Sequence, residues 1–170
     1  PVHPGRLAVE LADWLPEDAI LAIDGGDTGL WAHLATTHRH PRSFLWTGHY
    51  GHLGTGLPYA IGAKVAHPDR PVVLLSGDGA FGFNLQELET AAREGVKVIS
   101  VINCDSAWGM EAIHMRKSVG TDIGVALSEV RYDQVASALG CHGELVEHTD
   151  DLRGALDRAM AADGPAVVQV

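Results

Sequence analysis

A chain of 170 residues is long enough for one continuous α/β core and short for an enzyme with two substrate-handling domains, so a single domain is expected. The formal net charge of −10, without a run of Lys or Arg, argues against a nucleic-acid partner, which needs clustered cations to displace counterions. No apolar run reaches the roughly 18 to 20 residues that cross a bilayer, and no secretory signal opens the sequence, so a soluble, cytoplasmic protein is expected.

In chain order, short apolar runs alternate with helical patterns. Residues 19–23, 43–46, 72–75, 96–102, 144–146 and 166–170 read as strands, and residues 6–15, 28–37, 56–66, 85–93, 132–139 and 151–161 as helices. Strands that are apolar throughout are buried on both faces. The pattern therefore predicts a doubly wound α/β fold, a mainly parallel six-stranded sheet with helices on both faces. No internal repeat or long linker divides it. Ligands in such sheets bind beyond the carboxyl ends of the strands, which places residues 24–28, 47–55, 77–84 and 103–116 as binding loops.

The strand at 72–75 runs into Ser76-Gly77-Asp78-Gly79-Ala80-Phe81-Gly82-Phe83-Asn84. The glycines let backbone N–H groups approach an anion, and Asp78, at the strand end, can hold a hard cation against it. Alone, the segment reads equally as a tight turn followed by a helix capped at Asn84. Its spacing fits neither a P-loop nor a dinucleotide fingerprint. One crossover later the strand at 96–102 ends in Asn103-Cys104-Asp105-Ser106-Ala107-Trp108-Gly109-Met110, with Asp105 27 positions after Asp78. Two carboxylates then stand at the ends of neighbouring strands, and Mg2+ is commonly held by one or two carboxylates with phosphate oxygens and water.

Gly77-Asp78-Gly79 followed at this distance by Asp105 resembles the motif of thiamine diphosphate enzymes, in which a Gly-Asp-Gly turn precedes a paired Asn-Asn. Phe83-Asn84-Leu85-Gln86-Glu87-Leu88, Trp108-Gly109-Met110 and Gly51-His52-Leu53-Gly54-Thr55-Gly56-Leu57-Pro58 are similar to the acetolactate synthase, benzoylformate decarboxylase and oxalyl-CoA decarboxylase branch. The resemblance implies thiamine diphosphate and Mg2+ as cofactors, with Asp78, Asp105 and the Ala107 carbonyl on the metal. It implies that Gly26, Thr28, Gly77, Gly79, Ala80, Trp108, Gly109 and Met110 line the cofactor, and that the Gly51 carbonyl and Leu53 grip its aminopyrimidine ring. Leu53 by itself is an ordinary core leucine ahead of a helix. Asp27 reads as a helix N-cap. The sequence departs from the motif at Cys104-Asp105, which replaces the asparagine pair and adds a negative charge.

His38, His40 and His67 fall in turns, and no HExxH pair is present. The resemblance places His49, His52 and His114 around the reactive face as candidates for substrate contact or proton transfer. It sets Met110, Glu111 and His114 in a specificity segment. Cys104 and Cys141 form neither a CxxC pair nor a disulfide framework.

The function expected is a diphosphate- and Mg2+-binding domain or subunit of a lyase or transferase acting on 2-oxoacids, by decarboxylation or acetolactate synthase-like carboligation. The resemblance also implies a pyrimidine-binding domain or subunit across an oligomer interface, which supplies a glutamate that Glu87 and Glu89 cannot replace. On this reading the chain alone binds cofactor weakly and is inactive. A non-catalytic module of the same fold with a drifted metal site is the alternative, and a nucleotide or flavin binder lacks its fingerprints. The chain opens on Pro1 without Met, which reads as a processed, excised or trimmed product.

Overall fold

The computed structural model describes residues 2–37 and 40–170, and of His49 the backbone only. His38 thus lies outside the described residues, as does the His49 side chain. In chain order the elements are α1 (Pro4–Trp14), β1 (Ile20–Asp24), α2 (Asp27–Ala35), β2 (Phe44–Leu45), a 3-10 turn (Gly48–Tyr50), α3 (Gly56–Ala66), β3 (Val72–Gly77), α4 (Asp78–Phe81), α5 (Glu87–Arg93), β4 (Ile99–Asn103), α6 (Gly109–Ser118), α7 (Tyr132–Ala138), β5 (His142–Leu145), α8 (Thr149–Ala161) and β6 (Ala166–Gln169). The strands form one six-stranded sheet in the order β2-β1-β3-β4-β6-β5, and every pairing is parallel.

The apolar strands divide their side chains between two cores. Leu21, Ile23, Val73, Leu75, Val101 and Val168 pack under α1, α2 and α8, through Leu7, Leu11, Ala32, Leu152 and Leu156. Ile20, Ala22, Val72, Leu74, Ile102 and Val167 face α3, α5 and α7, through Leu57, Ala60, Leu88 and Ala136. This is why the central strands show no polar alternation: both faces are covered. No helix among the described residues is long and apolar enough to cross a membrane.

Sheet order locates the ligand edge. The chain leaves β1 outward to β2, then returns to β3 on β1's other side, so the strand order reverses between β1 and β3. In open α/β sheets that switch point opens a crevice past the strand ends. The crevice here lies between Asp24-Gly25 and Gly77-Asp78.

Several local expectations are corrected. Residues 103–116, expected as a loop, contain the helix α6, whose only buried residue is Ala112. Without an apolar stripe it carries no helical periodicity in the sequence. The expected loop at 77–84 includes the single helical turn α4, too short for a pattern. Asn84 does not cap the following helix. Its side-chain amide donates to the Gly54 carbonyl at 2.6 Å, and α5 starts at Glu87 with Gln86 as its N-cap. Asp27 is the first residue of α2 and Gly26 its N-cap. Helix α1 begins two residues earlier than expected, because Pro4 takes the first turn and the His3 ring accepts from the Gly5 N–H at 3.0 Å.

Candidate functional site

At the switch point, a cavity of about 280 Å3 is lined by the turn after β1, the loop before α3, the turn after β3 and the segment from Asn103 to Glu111. Gly26, Thr28, Gly51, Leu53, Gly77, Asp78, Gly79, Ala80, Asp105, Ala107, Trp108, Gly109 and Met110 all line it, as do His52 and Glu111. His114 is exposed on α6 and is not among the lining residues, and neither His40 nor His67 is.

Asp78 sits where β3 becomes α4 and is 4% exposed. One carboxylate oxygen accepts from the Gly79 N–H at 2.8 Å and the other from the Ser106 N–H at 2.9 Å. Tyr132 donates its hydroxyl to the Asp78 carbonyl at 3.2 Å from the opposite side. Burial pushes the Asp78 carboxyl up to about 6, with the Asp105 charge adding to it and the two N–H donors opposing it. Between the ordinary carboxylate range and about pH 6 the folded chain therefore holds this proton more tightly than the unfolded chain. Stability from this group falls as pH rises through that window and is level above it. A cation binding Asp78 must displace the proton, so Mg2+ affinity is expected to drop about tenfold per pH unit below about pH 6. Titrations between pH 5 and 8 check this, and a flat profile contradicts it.

The second carboxylate, Asp105, is exposed to the cavity, and one of its oxygens accepts from the Ala107 N–H at 3.1 Å. Between them Ser106 takes a left-handed backbone with φ 53°, a conformation costly for a residue with a Cβ. That turn aims its N–H at Asp78 while its carbonyl accepts from Leu127. The Ala107 carbonyl accepts no hydrogen bond among the described residues. Gly109 leaves room for Asp105, since a Cβ there would collide with the carboxylate. No three acidic, His or Cys side chains converge as a metal cage among the described residues. A cation on Asp78 and Asp105 thus requires main-chain, water or ligand oxygens, as Mg2+ usually does. Burial and the Asp78 charge push the Cys104 thiol up to about 12, so it stays protonated and is no thiolate ligand.

Helices α2 and α6 both open at this cavity, and neither N-cap, Gly26 or Trp108, makes a side-chain cap. Their first N–H groups and the positive ends of their dipoles suit an anion. Glycines keep the approach narrow but passable. A Cβ on Gly26 would come within 2.9 Å of the Met110 methyl, and one on Gly79 within 2.7 Å of the Trp108 ring. Five acidic residues line the cavity, Asp24, Asp27, Asp78, Asp105 and Glu111, and among the described residues no Lys or Arg does. The donor set therefore fits a diphosphate only with a divalent cation between phosphate and carboxylate.

The loop ahead of α3 is held by Asp24, a residue the motifs did not mark. Asp24 is 3% exposed and accepts from the Gly25 N–H at 2.8 Å and the Gly56 N–H at 2.7 Å. It ties the turn after β1 to the start of α3. Burial raises its pKa, with these backbone donors opposing. Gly51, in the loop, has φ 57° and nothing within 4 Å of a built Cβ, so its backbone faces open space. Asn103 and Ser106 were also unmarked as site residues. The one sequence signal for Asp24 was its place at a strand end ahead of two glycines.

Residues 24–170 match the family model described as thiamine pyrophosphate enzyme, C-terminal TPP binding domain. The chain belongs to that family. It is 46% identical over its whole length to a probable acetolactate synthase of Mycobacterium bovis, covering 31% of that protein. It is 39% identical to 2-hydroxyacyl-CoA lyase 2 of Caenorhabditis elegans, covering 94% of this chain and 25% of the relative. The solved thiamine diphosphate-dependent 4-hydroxybenzoylformate decarboxylase of Rhodococcus jostii RHA1 superposes with a TM-score of 0.92 at 28% identity, over 99% of this chain and 32% of that one. The chain thus spans between a quarter and a third of the length of these relatives.

Proposed function

We propose that this chain is the diphosphate- and Mg2+-binding part of an enzyme that acts on 2-oxoacids, by decarboxylation or by acetolactate synthase-like carboligation. The observation that carries this reading is the pairing of opposites in one cavity: uncapped helix N-termini that attract an anion, beside carboxylates that repel it unless a cation intervenes. Asp78, Asp105 and the Ala107 carbonyl would hold Mg2+. Gly26, Thr28, Gly77, Gly79 and Ala80 would hold the diphosphate, while Trp108, Gly109 and Met110 close over it. Gly51 and Leu53 would grip the ring. His49 and His52 would contact substrate or move protons, with Met110 and Glu111 setting specificity, while His114, which does not line the cavity, falls outside that set. Bound thiamine diphosphate supplies a nucleophilic carbon and an electron sink for the bond broken beside a carbonyl. This chain's part is to orient that group, exclude water and hold the cation that neutralises its phosphates.

The chain covers only part of its relatives' length, which supports a pyrimidine-binding domain or subunit as obligate partner and an oligomer as the working form. Calorimetric titration with thiamine diphosphate, with and without Mg2+, tests the site, and binding indifferent to metal refutes it. The 170 residues alone are expected to bind weakly and to give no turnover. Decarboxylation or carboligation by them alone contradicts that expectation. Turnover that appears on adding a pyrimidine-binding partner supports the enzyme. Metal-dependent binding without such a gain favours a non-catalytic module.

A further inference from the structure

Thr28 and Asn103 meet across the switch point although 75 positions separate them. Asn103 is the last residue of β4, level in register with Gly77 at the end of β3. From there its side-chain amide crosses the end of β3 and donates to the Thr28 hydroxyl oxygen on α2, at 3.2 Å. The contact is dry, with Thr28 4% and Asn103 8% exposed, yet both residues line the cavity. A Cβ on Gly77 would lie 3.4 Å from the Thr28 oxygen, so the hydroxyl stands against the Gly77-Asp78 turn.

A hydroxyl carries one proton, which it donates, and lone pairs that accept. The Asn103 amide occupies the acceptor side. The proton finds no acceptor among the described residues. An acceptor entering the cavity beside Gly77 would complete the set, because a buried donor without a partner costs about 1–3 kcal/mol.

We infer that Asn103 is a positioning residue: by donating to the Thr28 oxygen it holds the Thr28 proton toward the cavity, ready for a phosphate oxygen. The inference rests on the diphosphate reading of the site. Asn103 acts through Thr28 and has no separate contact with the anion, so its effect must vanish when the hydroxyl is gone.

A double-mutant cycle on the intact polypeptide tests this, with binding of thiamine diphosphate and of inorganic diphosphate measured in excess Mg2+. Thr28→Val, which keeps the shape, and Asn103→Ala are each expected to weaken both ligands about tenfold. The double variant is expected to lose little more than the weaker-binding single variant. Equal losses for the two ligands mark the effect as one on phosphate, which general loosening of the pyrimidine grip would not produce. Should Asn103→Ala fold poorly by thermal melting, Asn103→Asp keeps the shape but accepts the Thr28 proton. It too is expected to weaken binding, by less in the Thr28→Val background. An Asn103 variant that folds and binds as wild type does, or losses that multiply to about a hundredfold in the double variant, overturns the inference while leaving the diphosphate site standing. Wild-type protein that binds neither ligand with Mg2+ overturns both.

Discussion

Replacing Asp78 with alanine or asparagine is expected to remove Mg2+-dependent binding of thiamine diphosphate, a loss of at least about a hundredfold. The carboxylate is buried at the strand end, its two oxygens oriented by the Gly79 and Ser106 N–H groups, and no Lys or Arg among the described residues lines the cavity to replace the metal. Without Asp78 four lining carboxylates remain, Asp24, Asp27, Asp105 and Glu111, and of the two proposed metal ligands Asp105 alone is left. The alanine variant also strands two backbone donors, whereas Asp78→Asn keeps an acceptor for one of them and turns its NH2 on the other. Burial already holds the Asp78 carboxyl up, which means that its charge adds no stability to the free protein. Asp78→Asn should therefore melt below the wild-type temperature by the cost of that one unmet donor, about 1–3 kcal/mol, and still fail to bind in calorimetry where it is folded. Retained metal-dependent binding in that variant would remove Asp78 from the metal site.

Gly56→Ala is expected to cost about 3 kcal/mol in stability. The first residue of α3 sits where a Cβ would come within 2.6 Å of the Leu74 side chain and 2.7 Å of the Asp24 Cβ. Leu74 is fully buried in the β3 core and cannot retreat. Relief must come from shifting α3, which lengthens the 2.7 Å bond from the Gly56 N–H to Asp24 and moves the loop ahead of α3. Urea denaturation should show a lower midpoint with an unchanged slope, and cofactor affinity should fall in parallel. Gly62→Ala, on the same helix with nothing within 4 Å of its Cβ, is the control. It should stabilise by about 0.5–1 kcal/mol, through helix propensity alone. Equal losses for the two variants would rule out the close contact at Gly56 as the cause.

The sequence alone carries the layered α/β class and the central strands, because both signals are local. Apolar runs at 19–23 and 72–75 record burial on two faces, and periodic stripes record helices that cover them. It also marked Gly77-Asp78-Gly79 and Asp105, whose residue types and spacing are written in consecutive or nearly consecutive turns. Helix α6 left no trace, since a helix that buries only Ala112 has no apolar period to display. Asn84 shows the limit of local rules: it has the residue type and place of a cap, yet its amide is drawn 30 positions back to Gly54. That β1 and β3 are neighbours, with the order reversing between them, is a property of the assembled sheet. That order brings Asp24 to Gly56 and Asn103 to Thr28, and sets the uncapped starts of α2 and α6 beside an acidic lining. Such pairings depend on which strands lie side by side, a choice made by packing the whole sheet, and no spacing along the chain encodes it.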